Sequence, residues 1–79
     1  MTNREIYTNI FKELFGVKAD SLNAAFTFAD TEAWDSMTHM TLISKLEEAF
    51  DVFFETEDIL NFGSFLHGME ILRRYGVEI

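Results

Sequence analysis

The chain has 79 residues, 14 acidic and 6 basic, for a formal charge of −8; that is sequence for one domain, with a surface that repels nucleic-acid phosphates and anionic lipid. It has no cysteine, which excludes disulfides and thiolate metal sites and means that any thioester chemistry needs a thiol from a cofactor. No proline, four glycines and 48% hydrophobic residues, nine of them phenylalanine, favour a helical domain that buries most of its large side chains.

Met1-Thr2-Asn3-Arg4-Glu5 lacks a signal-peptide core, and no apolar run approaches a membrane span, so a cytoplasmic location without a membrane partner is expected. The first helix is predicted from about Asn3 to Phe15, opened by a capping box of Thr2 with Glu5 and closed by Gly16. At about 100° per residue, Ile6, Tyr7, Ile10, Phe11, Leu14 and Phe15 form its apolar half, opposite Glu5, Asn9, Lys12 and Glu13. From Val17 to Ala33 that periodicity breaks. Asp20-Ser21, Asn23 and Asp30-Thr31 are turn signals, yet Leu22, Phe26 and Phe28 are large and apolar, which suggests an ordered loop lying on the helices.

The second helix is predicted to start at Asp35 or Ser36 and to end near Phe50-Asp51, with Leu42, Ile43, Leu46, Ala49 and Phe50 on one core-facing arc. A short third helix is expected from Glu55 to Leu60 or Asn61, with acids in its first turn complementing the helix dipole. The fourth follows a Ser64 cap and runs to about Tyr75, with Phe65, Met69 and Leu72 inward, Arg73 and Arg74 in the last turn and Gly76 ending it.

Trp34-Asp35-Ser36-Met37, placed where a long loop turns into an amphipathic helix ending in Leu46-Glu47-Glu48-Ala49-Phe50, resembles the attachment site of acyl and peptidyl carrier proteins. The likeness spans nearly the whole chain, and the long first loop is a feature of that family. It implies an all-α, acyl-carrier-like four-helix bundle of three main helices plus one short one, forming a single carrier domain over residues 1–79. It further implies that the chain is not an enzyme. In that family the serine hydroxyl carries a 4′-phosphopantetheine arm derived from coenzyme A, whose thiol holds an acyl or aminoacyl group as a thioester. By resemblance Ser36 is the attachment residue and Asp35 its neighbour in the site. Met37, Thr41 and Glu48, with Glu47 at the edge, would face partner enzymes: a phosphopantetheinyl transferase and acyl- or aminoacyl-adenylating or acyl-transferring enzymes. The carrier is expected to act as a monomer.

Each residue also has a plainer reading. Asp35 or Ser36 could serve only as an N-cap, and Met37 could pack under the loop against Phe26 or Phe28. Against that, a phosphodiester on Ser36 would lie in the positive field of a helix N-terminus. On the helical projection Met37 falls away from Leu42, Ile43 and Leu46, on the side of Thr41, Lys45 and Glu48. Trp34 is expected to cap the core beneath the loop, and His39 to be a partly buried histidine bonded to a loop carbonyl. A hydrolase built on Ser36, His39 and an aspartate would need a strained elbow with glycines, which Trp34-Asp35-Ser36-Met37 lacks. The clusters Asp30-Thr31-Glu32 with Asp35, and Glu55-Thr56-Glu57-Asp58, lack the glycine and terminal glutamate of a calcium loop. Fatty-acid carriers often have a small residue where Trp34 stands, and a more acidic outer face than Thr38, His39, Thr41 and Lys45 provide. A discrete carrier of a dedicated biosynthetic pathway is therefore favoured over a housekeeping fatty-acid carrier. The rival from another class is an unmodified helical interaction module.

Overall fold

Local signals at the helix ends are honoured in the computed structural model, which describes Met1–Ile79. Helix α1 (Asn3–Phe15) opens with a complete capping box: Glu5 N–H donates to Thr2 Oγ1 at 3.1 Å, and Thr2 N–H to Glu5 Oε1 at 3.2 Å. It closes on Gly16 in the left-handed conformation at φ 64°, where a side chain would be strained. Helix α2 (Ser36–Phe50) closes in the same way, but on Asp51 at φ 54°. A short α3 (Thr56–Asn61) and α4 (Phe65–Arg74) follow, α4 capped by Ser64 Oγ accepting from His67 N–H at 2.9 Å. No β-strand forms; the fold is all-α, a small helical bundle.

All four helices surround one core of 13 buried residues. Tyr7 and Phe11 come from α1, Leu42, Ile43 and Leu46 from α2, and Phe65, Met69, Ile71 and Leu72 from α4. The connections contribute Phe26, Trp34, Phe54 and Phe62. Burial of this apolar surface is the main force holding the bundle together, and its ring pairs are mostly tilted or edge-on, as at Phe11–Phe65, 5.0 Å between centroids at 89°. The Tyr7 hydroxyl satisfies itself inside this core by donating to the Phe65 carbonyl at 2.8 Å. Gly68 lets α4 come this close: a Cβ there would overlap both Phe62 Cζ and the Tyr7 hydroxyl.

The long loop is ordered, as expected, and it includes a single 3₁₀ turn at Ala19–Ser21. An isolated antiparallel bridge between Thr27 and Ser64 pins it, with Phe28 N–H donating to the Gly63 carbonyl at 2.9 Å and Phe65 N–H to the Phe26 carbonyl at 3.0 Å. Phe26 is buried, whereas Phe28 remains part-exposed at the surface. Two expectations change. Ala49 is exposed rather than core-facing, because its methyl is too short to close the gap to Ile6 and Ile10, with which it lines an open surface groove between α1 and α2. Glu55 stands just outside α3 as its extended N-cap residue, at φ −70° and ψ 152°. Asp58 ties α3 to the end of α4 through Arg74 at 2.8 Å and the Tyr75 hydroxyl at 2.5 Å. That hydroxyl also accepts from Glu55 N–H at 2.9 Å. No helix is long and apolar enough to cross a membrane.

Candidate functional site

The first turn of α2 gives two neighbouring side chains different roles. Asp35 is the N-cap, with extended backbone at φ −97° and ψ −176°, and its Oδ1 accepts from Thr38 N–H at 2.8 Å. That bond holds its carboxyl below the ordinary carboxylate value. Ser36 is the first helical residue and is exposed. Because Asp35 makes the cap, capping does not account for the Ser36 hydroxyl. The α2 N-terminus still presents first-turn N–H groups and the positive end of the helix dipole beside it.

Ser36 also stands in the wall of a half-open groove of about 330 Å³, lined by Phe28, Ser36, His39, Met40, Ile59, Leu60, Phe62 and Gly63. Three segments build it: the loop before α2, the first turn of α2, and α3 with the residues that follow it. Met40 and Leu60, 51% and 79% exposed, form an apolar rim that gains nothing from facing water.

His39 lies in the groove wall with both ring nitrogens engaged. The Trp34 indole N–H donates to Nδ1 at 2.9 Å, and Nε2 lies 2.8 Å from the Ile59 carbonyl. An indole nitrogen can only donate and a carbonyl can only accept, so the neutral ring with its proton on Nε2 satisfies both contacts. The carbonyl belongs to α3, not to the loop that sequence reasoning favoured, because α3 folds back across the start of α2. Neither nitrogen is free to take a proton from Ser36. Trp34 is 2% exposed and fills the space between Phe11, Phe15, Phe26 and His39, in agreement with its expected place beneath the loop.

The residues expected to face partners fall into two groups. Met37 is 82% exposed and is covered by neither Phe26 nor Phe28; Thr41 and Glu48 are exposed as well. The Thr41 hydroxyl donates to the Met37 carbonyl at 3.1 Å, a bond within the helix. Glu47 is half-buried and braces the backbone, since its Oε2 accepts from Phe54 N–H at 2.9 Å and fixes the turn after α2. Met40, Leu60 and Phe28 were not foreseen as site residues. Met40 could have been found, since it lies four residues from Ser36 on the same helical face. Leu60 and Phe28 carry no local signal, one on a helix of six residues and the other in an aperiodic loop. No protein-family model matches the chain, and no curated protein is significantly similar to it.

Proposed function

We propose that the chain is a carrier protein, an acyl or aminoacyl carrier whose attachment residue is Ser36. One observation carries the reading: an exposed serine opens α2 while its neighbour Asp35 makes the cap. The residues present suit a 4′-phosphopantetheine group there. The side chain is accessible, the helix N-terminus favours a phosphodiester, and the adjoining groove offers apolar surface for what is attached. When bound, that arm supplies a terminal thiol that holds the cargo as a thioester. Ser36 contributes only its hydroxyl oxygen, so no base beside it is required; a transferase supplies the catalysis. Met37, Thr41 and Glu48 form the surface that meets the transferase and the adenylating or acyl-transferring enzymes. Lys45 and Thr41 dilute the negative charge on that side of α2, which favours a dedicated partner over enzymes that dock carriers through a basic patch.

The test is intact mass after incubation with coenzyme A and a broad-specificity phosphopantetheinyl transferase. Ser36 Oγ forms a new bond to phosphorus as the pyrophosphate P–O bond of coenzyme A breaks. The adenosine nucleotide leaves, and the hydroxyl proton is released. One phosphopantetheine should be added to the wild-type chain and none to Ser36→Ala, whose fold should survive. Unchanged wild-type mass with several transferases would sink the carrier reading and leave the unmodified interaction module in its place.

A further inference from the structure

An arm on Ser36 that folds back lays its cargo along the groove, because Ser36 is part of the groove wall. The groove follows α2 for one turn, from Ser36 to Met40, about 6 Å at 1.5 Å per residue. Its floor is made of rings. His39 stacks on Trp34 with centroids 6.0 Å apart and stands edge-on to Phe28 at 5.9 Å and Phe62 at 6.2 Å. Two polar bonds lock that floor, from the Trp34 indole to His39 and from His39 to the Ile59 carbonyl. Behind it the buried side chains of Trp34 and Phe62 fill the centre of the bundle.

An apolar chain pushed through this floor would break both bonds and leave an indole N–H, an imidazole and a carbonyl without partners in apolar surroundings, which is strongly unfavourable. A chain lying over the floor breaks nothing and covers the exposed sides of Met40, Leu60 and Phe28, gaining about as much as each of its methylenes takes out of water. The geometry points to a length limit on the cargo: the groove takes a short apolar acyl group, on the order of one helical turn long, and the Trp34–His39–Ile59 bridge bars longer chains from the core. His39 is then the residue that determines specificity, an assignment that rests on the attachment reading of Ser36.

The experiment loads the full-length protein with acetyl, butyryl, hexanoyl and decanoyl phosphopantetheine from the matching acyl-coenzyme A, verifies each by mass, and melts each form. Tm should rise from acetyl to hexanoyl by about 4 °C or more and then stay level to decanoyl. In His39→Ala, where the floor is opened, decanoyl should melt above hexanoyl. A failure to load overturns the attachment reading, and the length limit with it. Successful loading with Tm still climbing from hexanoyl to decanoyl in the wild-type protein overturns the length limit alone, as does a Tm that no acyl group changes. The wild-type series decides the matter even if His39→Ala does not fold.

Discussion

Trp34 and His39 are joined by a 2.9 Å hydrogen bond from the indole N–H to Nδ1, although one residue precedes α2 and the other lies within it. The bond leaves Nε2 to donate to the Ile59 carbonyl at 2.8 Å, so a single imidazole connects the loop, α2 and α3. Trp34→Phe keeps an aromatic ring but deletes the donor and part of a buried side chain. The expected loss is about 2–3 kcal/mol, from the void and the unpaired nitrogen together. Urea unfolding should show a lower midpoint with an unchanged slope; a midpoint within error of wild type would mean that the bond contributes nothing.

Gly68→Ala tests how closely α4 packs. In an open helix this change stabilises by about 1 kcal/mol. Here the new methyl overlaps Phe62 Cζ and the Tyr7 hydroxyl and comes within 2.7 Å of Phe62 Cε1, and both rings are held in the core. Overpacking at about 1–3 kcal/mol should outweigh the propensity gain. Thermal melting should show a lower Tm; a rise would mean that the two rings move aside freely.

Asp51 is the reverse case. It is the only non-glycine residue at positive φ, and its carboxylate lies at the negative end of the α2 dipole. Asp51→Gly relieves both and should stabilise the domain by about 0.5–1 kcal/mol, with no effect on loading at Ser36. A drop in stability would reveal an interaction of the Asp51 side chain that outweighs the backbone strain.

Stability should fall at both ends of the pH scale. Thr2 groups hold the Glu5 carboxyl below its ordinary value of 4.5, while Thr38 N–H and the Tyr75 hydroxyl hold Asp35 and Asp58 below 3.8. Each of these binds its proton more weakly folded than unfolded. Their stabilisation is complete above those ordinary values and is lost as pH falls through the lowered folded ones. The Tyr75 hydroxyl is raised above 10.0 by its bond to Asp58, and the Tyr7 hydroxyl is raised by burial. Their contribution is complete below 10.0 and is lost as pH rises through the folded values. Asp58→Asn should weaken both limbs of a Tm profile; identical limbs in the variant would show that the Asp58–Tyr75 bond is not linked to folding.

Met37→Ala and Leu46→Ala separate surface from core on one helix. Leu46 is fully buried, and its truncation should cost about 2–5 kcal/mol. Met37 is 82% exposed, so its truncation should stay within about 0.5 kcal/mol while slowing acyl transfer to or from a partner enzyme. Glu48→Lys should do the same. Transfer rates unchanged by either substitution would place the docking surface elsewhere.

The limits of α1, α2 and α4 were legible in the sequence because their causes are local. Thr2 with Glu5, Asp35, Ser64 and Gly16 act within one turn of the backbone they cap, and the apolar arcs through Tyr7–Phe11 and Leu42–Leu46 follow from helical geometry alone. The place of Ser36 at the start of α2 was legible for the same reason. The tertiary structure decided what surrounds it. That α3 supplies the His39 acceptor, 20 residues along the chain, and that Phe28 and Leu60 meet Met40 across a groove depend on contacts between separate segments. Such contacts are selected by how whole helices pack, through shape and burial summed over many side chains, and a residue's near neighbours carry no record of that sum.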